Sequence, residues 1–302
     1  MNKKTVFAAI VGRPNVGKST LLNALLDEKI SIISKKPQTT RNRITGILTK
    51  ENTQYVFTDT PGIHLPKSLL GKYMAKSAKS AIGDADVVVL MIEPAARVSP
   101  VEREVIQKAK SFDIPIVLVI NKIDILSKDK ILEVIDVYSR EHEFSAILPI
   151  SALNGDGTGL VMGELDKYLA DIEGGEFFFP EDMLTDQPER QIASEIIREK
   201  ALRLLNEEIP HGIGVSIEEW NEMKSKNLIN IRAEIFCEKE THKRIIIGRN
   251  GDMVKKIGTY AREDLEKFFG VKIYLDLWVK VKRGWRDKPG TLSSLGYSDG
   301  GL

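Results

Sequence analysis

Residues 12–20, GRPNVGKST, fit the pattern G-x-x-x-x-G-K-[ST]. A loop of this pattern connects a strand to a helix, and its backbone amides lie close to phosphate groups. The apolar run TVFAAIV at residues 5–11 is typical of the buried strand that such a loop needs. The motif therefore predicts a layered α/β fold with a phosphate group bound at the end of its first strand.

Strand and helix patterns alternate through residues 1–172. Such alternation predicts an α/β fold with a mostly parallel sheet covered by helices. The strand runs are TVFAAIV, QYVFTDT, DVVVLMIE, PIVLVINK and AILPIS, and the helical patterns are SLLGKYMAKSAKSA, VEREVIQKAK and DKILEVIDVYS.

Four polar loops begin where predicted strands end, at Gly12, Asp59, Asn121 and Ser151. In open α/β sheets the ligand binds at the carboxyl ends of the strands. We therefore expect these four loops to meet at one edge of the sheet and to share one ligand.

The first two loops have the chemistry of a phosphate and metal site. Backbone amides of residues 15–20 face the phosphates, and Lys18 supplies a positive charge to the β and γ groups. The Ser19 hydroxyl is suited to Mg²⁺. In DTPG, Asp59 is placed to hold the metal through water, and Gly62 is placed so that its amide meets the γ-phosphate.

The other two loops select the base. In NKID, the Asp124 carboxylate is suited to accept hydrogen bonds from both the ring N–H and the exocyclic amine of guanine. Ser151 and Ala152 in SAL add a backbone amide toward the guanine carbonyl. Adenine cannot form this pattern, so GTP is favoured over ATP.

The ordered series GRPNVGKST, DTPG, NKID and SAL resembles the translation-factor-like GTPases. Between the first two motifs, KKPQTTRNRI resembles the first switch loop of that group. This resemblance implies that Thr40 ligates Mg²⁺ and acts in catalysis with Lys18, Asp59 and Gly62, while spacing leaves Thr39 open as the alternative ligand. The predicted GTP/GDP site contains Gly12, Arg13, Pro14, Asn15, Val16, Gly17, Lys18, Ser19, Thr20, Asp59, Thr60, Pro61, Gly62, Asn121, Lys122, Ile123, Asp124, Ser151 and Ala152, with Ser19, Thr40 and Asp59 as metal ligands.

One position departs from a well-known GTPase subgroup. Where that subgroup has a glutamine that orients water, this chain has Ile63, whose side chain cannot form a hydrogen bond, so intrinsic hydrolysis is expected to be slow. Asn15 resembles the residue that holds a K⁺ ion in several GTPases lacking the glutamine. Two alternatives stay open, because Asn15 either holds K⁺ or only caps the loop.

Charge is distributed unevenly in the second half of the chain. Residues 171–189 contain seven acidic and no basic side chains, together with two glycines and two prolines, which is typical of a linker. Residues 242–288 contain 13 basic and 6 acidic side chains, a net charge of +7, which indicates a polyanion partner or a solvated basic face.

Residues 189–281 predict the order helix, strand, strand, helix, helix, strand, with the two adjacent helices meeting at the loop GRNG, 248–251. This order with I-G-x-x-G resembles a KH domain of the type whose last strand follows the paired helices, type II. The resemblance implies that the GxxG loop clamps the backbone of about four RNA nucleotides. The implied RNA-binding residues are Ile247, Gly248, Arg249, Asn250, Gly251, Lys255 and Lys256.

The whole chain resembles the Era GTPases, a match extended by ASEIIREK, LWVKVKRGW and LGY. The implied organisation is a P-loop GTPase domain at 1–172, a linker at 173–189 and a smaller α/β KH domain with a C-terminal tail at 190–302. The resemblance implies a GTPase that binds small-subunit ribosomal RNA near its 3′ end and assists assembly of the 30S subunit.

It also implies a cytoplasmic protein with weak, peripheral association with the membrane. No run of about 18 apolar residues predicts a transmembrane segment. Two other functions stay open, namely an RNA-binding scaffold with structural GTP and a GTPase in RNA modification.

Overall fold

The computed structural model describes residues 2–34, 36, 39–63, 66, 68–206 and 209–297, with only the backbone of His211. Residues 35, 37 and 38 of the predicted first switch loop lie outside this description. The chain divides into two compact units, each with its own apolar core. The first unit comprises Met1–Ser31, Thr40–Leu65 and Met74–Asp186, and the second unit comprises Ile32–Thr39, Pro66–Tyr73 and Gln187–Leu302.

The first unit is built around a mixed sheet. Its strands are β1 (Lys4–Val11), β2 (Ile44–Lys50), β3 (Thr53–Asp59), β4 (Val87–Ile92), β5 (Ile116–Ile120), β6 (Ala146–Pro149) and β7 (Ala170–Asp171). The order across the sheet is β2-β3-β1-β4-β5-β6, and β3, β1, β4, β5 and β6 are parallel to their neighbours in that series. This arrangement confirms the predicted α/β fold.

The apolar runs explain why these strands lie at the centre. Every residue of β4 and β5 is buried, since helices cover both faces of a parallel sheet and leave no polar face. The helices of this part of the chain are α1 (Lys18–Leu26), α2 (Leu69–Gly83), α3 (Pro100–Lys110), α4 (Lys128–Glu141) and α5 (Thr158–Leu165).

Two strands were not predicted from the sequence. Strand β2 runs antiparallel to β3 at the edge of the sheet, and its residues alternate less clearly between buried and exposed. Strand β7 has only two residues and pairs with Lys4 and Thr5 at the beginning of β1. Strand β4 pairs with the later residues of β1. Neither segment has a pattern long enough to separate it from a loop.

The acidic segment predicted as a linker is hydrogen-bonded to strands of the first unit. The Gln54 side chain is fully buried and forms two hydrogen bonds with the backbone of Phe179, with its Nε2 donating at 3.0 Å and its Oε1 accepting at 3.1 Å. The Ile47 amide donates to the Leu184 carbonyl at 2.9 Å. The predicted domain limits at 172 and 190 stay a prediction.

The second unit contains a sheet with helices packed on it. Its elements are α6 (Glu189–Leu204), β8 (Gly214–Met223), β9 (Leu228–Cys237), α7 (Glu240–Ile247), α8 (Asp252–Phe269), β10 (Lys272–Val281) and α9 (Pro289–Ser294). Strand β9 lies between β10, to which it is parallel, and β8, to which it is antiparallel. The predicted order of elements is confirmed.

Apolar residues from both layers form the core of the second unit. Ile196 of α6, Leu265 of α8 and Ile235 of β9 are buried in one cluster. Cys237 at the end of β9 is also fully buried in this cluster. Among the described residues, no helix is long and apolar enough to cross a membrane.

Candidate nucleotide and RNA sites

The phosphate loop takes a backbone path that only small residues allow. Gly12 and Gly17 have φ angles of 153° and 106°, in the region that favours glycine. A Cβ on Gly12 would lie 2.2 Å from the Met91 carbonyl oxygen, and one on Gly17 would lie 2.2 Å from Nδ2 of Asn121. The loop is thus fitted tightly against the ends of β4 and β5.

Lys18 lies inside this loop with 6% of its surface exposed. Its ammonium donates to the carbonyl oxygens of Gly12 at 3.3 Å and Arg13 at 3.0 Å. Burial lowers the pKa of Lys18 to about 8, and the nearby Asp59 carboxylate opposes that shift. A phosphate in the loop would favour the charged form, because opposite charge nearby compensates for lost solvation.

Hydroxyl groups from three segments converge on the Asp59 carboxylate, which is fully buried at the end of β3. Oδ2 of Asp59 accepts hydrogen bonds from Ser19 at 2.6 Å, Ser31 at 3.0 Å and Thr40 at 3.5 Å. The Ser19 and Thr40 hydroxyl oxygens lie 2.9 Å apart. Burial raises the pKa of Asp59, while Lys18 and the three hydroxyls lower it.

This Asp59 hydroxyl cluster fits a hard divalent cation. Oδ1 of Asp59 has no hydrogen-bond partner among the described residues, although it is buried. The donors are all oxygens, which Mg²⁺ prefers, and Mg²⁺ keeps several waters and phosphate ligands instead of a full protein cage. The described residues contain no group of three or more His, Cys, Asp or Glu side chains that could hold a metal ion.

The two adjacent threonines differ in their contacts. Thr40 is buried and reaches Ser19 and Asp59, whereas the Thr39 hydroxyl donates to the Lys36 carbonyl at 2.6 Å. The geometry therefore favours Thr40 over Thr39 as the candidate ligand, a choice that spacing left open.

Asn121 links the phosphate loop to the loops that follow β5 and β6. Its Nδ2 donates to the Val16 carbonyl at 2.8 Å, and its Oδ1 accepts from the Ala152 amide at 2.9 Å. The Ser151 hydroxyl donates to Oδ1 of Asp124 at 2.6 Å. NKID and SAL thus lie side by side, with the Asp124 side chain exposed at the surface.

The DTPG loop lies against the phosphate loop. A Cβ on Gly62 would be 2.6 Å from the Pro14 backbone, so a side chain has no room at that position. The Ile63 amide donates to the Gly12 carbonyl at 3.1 Å, and its side chain is buried in the core of the first unit. Thr60 donates through its hydroxyl to the Ile10 carbonyl at 2.9 Å. All four predicted loops are therefore brought together at one edge.

The sequence did not predict the residues that hold this site in place through hydrogen bonds and an ion pair. Asn23 accepts from the amides of Ile30 and Ser31 at 3.1 and 2.9 Å and donates to the Ser31 carbonyl at 2.8 Å. Arg13 pairs at 2.9 Å with the fully buried carboxylate of Glu102. The motif contains no signal for these partners, since Asn23 lies just outside it and Glu102 is 89 positions from Arg13.

The second candidate site is the GRNG turn between α7 and α8. Gly248 and Gly251 have φ angles of 79° and 82°, and Asn250 has a φ of 53°. A Cβ on Gly248 would lie 2.7 Å from the Met253 backbone nitrogen, whereas one on Gly251 would meet nothing within 4 Å. Glycine is thus required at position 248 because the turn packs closely against Met253, whereas the space beside Gly251 at the start of α8 is open.

The basic residues of this site lie at the surface. Arg249, Lys255 and Lys256 are exposed, and Ile247 is half-buried at the end of α7. The amides at the beginning of α8 and these cations together favour a phosphate backbone.

Comparison with known proteins finds a family match for each of the two parts of the chain. Residues 7–122 match the family of 50S ribosome-binding GTPases, and residues 208–286 match the KH domain family. The chain is 48% identical over 298 residues to GTPase Era of Thermoanaerobacter sp. strain X514, an alignment covering 99% of this chain and 98% of that protein. The chain belongs to the Era family of GTPases.

Other members of the Era family give the same result. GTPase Era of Clostridium kluyveri strain ATCC 8527 is 50% identical over 294 residues, which cover 97% of this chain and 99% of that protein. The crystal structure of Era in complex with MgGDPNP and nucleotides 1506–1542 of 16S ribosomal RNA matches with a TM-score of 0.93 and 44% identity, covering 98% of this chain and 99% of that one. A variant of Aquifex aeolicus Era bound to GDP.AlF4⁻ matches with a TM-score of 0.92 and 43% identity.

Proposed function

We propose that this chain is a GTP-hydrolysing switch that binds small-subunit ribosomal RNA near its 3′ end and assists assembly of the 30S subunit. The main support is that one chain has both the Asp59 hydroxyl cluster beside a phosphate loop and an open GRNG turn of a KH domain. The similar Era structure that contains MgGDPNP and a 16S ribosomal RNA fragment supports the choice of ligands.

In this proposal the phosphate loop encloses the phosphates of GTP or GDP. Backbone amides of residues 15–20 donate to the phosphate oxygens. The ammonium group of Lys18, which is buried inside the loop, contributes a positive charge next to the phosphates. Gly62 brings its amide to the γ-phosphate. Asp124 binds the guanine donors and is held by the hydroxyl of Ser151. The Ala152 amide donates to Asn121 in this structure, so it would exchange that partner for the guanine carbonyl when the nucleotide binds.

Ser19, Thr40 and Asp59 would hold Mg²⁺, Asp59 through water. The bound ion neutralises charge on the β and γ phosphates. Because Thr40 belongs to the predicted first switch loop, the presence of the γ-phosphate decides whether that loop is held at the site.

Hydrolysis by the isolated protein is proposed to be slow. Ile63 has a buried side chain and provides no hydrogen bond to a water molecule. Asn15, with a left-handed φ of 67°, is in the position proposed to hold K⁺, which would supply positive charge to the transition state.

In the second unit, the amides around Gly251 and the cations Arg249, Lys255 and Lys256 bind the RNA backbone in this proposal. We further propose a cytoplasmic location with weak peripheral association with the membrane, which rests on resemblance to the Era family alone.

The proposed function is tested with the purified chain in two assays. Release of phosphate from GTP, compared with ATP, measures the enzyme activity, and titration of a labelled RNA with the sequence of the 16S 3′ end measures RNA binding. We expect GTP hydrolysis at about 10⁻⁴ to 10⁻² per second without a partner. RNA binding without GTP hydrolysis would favour a scaffold with structural GTP and contradict the switch.

A further inference from the structure

A cluster of buried charges on α6 lies outside the two sites described above. Arg198, Glu199 and Lys200 are exposed by only 1%, 0% and 6%. Burying charged groups costs free energy unless each finds a partner, so their partners indicate what the cluster holds in place. Two of those partners are backbone groups, of Ile33 and Thr39, in a segment of the same compact unit.

One group of contacts fixes the beginning of this segment. The Glu199 carboxylate accepts from the Ile33 amide at 3.0 Å. The Arg203 guanidinium donates twice to the Ile33 carbonyl, at 3.2 Å each, and also to Glu199 at 2.8 Å. Both backbone polar groups of Ile33 are therefore bound by α6.

A second contact fixes the end of the segment. The Arg198 guanidinium, which also pairs with Glu195, donates to the Thr39 carbonyl oxygen. That carbonyl belongs to the same planar peptide group as the Thr40 nitrogen. Holding it therefore restricts the orientation of the Thr40 backbone directly.

The residues that flank the segment both reach the metal candidate site. Ser31, two residues before Ile33, and Thr40, one residue after Thr39, donate to the Asp59 carboxylate at 3.0 and 3.5 Å. Residues Ile33 and Thr39, which α6 binds, are thus joined through the chain to two residues of the Asp59 hydroxyl cluster.

We propose that Arg198, Glu199 and Arg203 are positioning residues for GTP hydrolysis. They hold the backbone at Ile33 and Thr39, so that Thr40, the next residue, stays beside Ser19 and Asp59. This inference rests on the proposed GTPase function. The three residues are proposed to act through the backbone of Ile33 and Thr39, to which they are hydrogen-bonded. A displacement of about 1 Å in a group of this kind is enough to lower a rate substantially.

The test replaces Arg198→Gln, which removes the charged donor to Thr39. We expect kcat for GTP to fall by about tenfold or more, the size of one lost hydrogen bond from a charged donor. The Mg²⁺ concentration needed for half-maximal rate is expected to rise. Affinity for GDP stays unchanged, because the first switch loop is ordered by the γ-phosphate and Mg²⁺. Arg198→Lys, which keeps the charge, is expected to recover part of the rate.

The matched control is Arg190→Gln, the same change at an exposed position of α6. Circular dichroism and RNA affinity check that each variant is folded. Because Arg198 is buried, its replacement could destabilise the fold, so Arg203→Gln serves as a second variant. The Arg203 side chain is 48% exposed, so the protein tolerates its replacement. The fall in kcat and the rise in the Mg²⁺ requirement are expected to be smaller than in Arg198→Gln.

Wild-type kcat and Mg²⁺ dependence in folded Arg198→Gln and Arg203→Gln would overturn the inference and leave the proposed function intact. Absence of GTP hydrolysis in the wild-type protein would instead overturn the proposed function, and the inference with it.

Discussion

Single side chains connect loops that are far apart in the sequence. Asn121 contacts Val16 in the phosphate loop and Ala152 in the SAL loop, and Gly17 leaves room for its amide. Both hydrogen bonds of Asn121 are buried, and buried polar atoms without a partner are costly. Its amide nitrogen and oxygen therefore hold the two loops in one arrangement. The identity of the base then depends on the neighbouring Asp124.

Asp124→Asn is predicted to exchange the preferred nucleotide from GTP to xanthosine triphosphate. The carboxylate accepts from two guanine donors, while an amide donates to the xanthine carbonyl that replaces the guanine amine. We expect the affinity for GTP to fall by about 100-fold or more, measured by competition against a fluorescent nucleotide. The Ser151 hydroxyl keeps an acceptor in this variant.

Asp129→Asn is the control for this change, since Asp129 is an exposed aspartate in the first turn of α4. If Asp124→Asn retains the preference for GTP, NKID does not bind the base and the guanine assignment is wrong.

Hydrolysis is predicted to depend on the monovalent cation at Asn15. Replacing K⁺ by Na⁺ is expected to lower kcat in the wild-type protein, because a cation that fits supplies charge to the transition state. Asn15→Ala is expected to be slow in both salts. Equal rates in both salts, with the Asn15→Ala rate also unchanged, would leave Asn15 as a loop residue only.

At the scale of elements, the junction of α7 and α8 separates two kinds of glycine. Gly248 has the Met253 backbone 2.7 Å from an added Cβ, whereas the space beside Gly251 is open. A substitution at Gly248 would therefore disturb the turn, and any loss of RNA binding would be hard to assign. Gly251 is the position at which an added charge tests the RNA site.

Gly251→Asp is predicted to weaken RNA binding by about tenfold or more, because it puts a negative charge where a phosphate is expected. Gly251→Asn is the matched control, with nearly the same size and equal tolerance of the left-handed φ of 82°. It is expected to weaken binding far less. Binding of a labelled RNA at two salt concentrations measures both, and equal losses would assign the effect to bulk alone.

At the scale of the whole molecule, each unit has its own apolar core, so ligands are expected to stabilise them separately. A GTP analogue with Mg²⁺ at 100 times its Kd is predicted to stabilise the first unit by about 2.7 kcal/mol. Hydrogen exchange of amides in β1 and β5 measures this. Asp124→Asn should show no such protection with the same analogue, and unchanged exchange in the wild-type protein would contradict the prediction.

The sequence by itself determined the fold class and the residues of the two loops. Glycines at 12, 17, 248 and 251 are needed locally, because their φ angles favour glycine whatever surrounds them. Apolar runs such as that of β4 specify buried parallel strands without reference to any partner. Motif order then placed the four nucleotide loops at strand ends, and the structure brings them together.

Only the tertiary structure decided which distant groups support those loops. The choice between Thr39 and Thr40 depends on where Ser19 and Asp59 lie, and neighbours in sequence give no information about that. Likewise, ASEIIREK has a helical pattern, but nothing in it indicates that Arg198 and Glu199 bind the backbone of residues 32–39. Such contacts join residues more than 150 positions apart, and their partners are backbone groups, which every residue carries and no sequence pattern distinguishes.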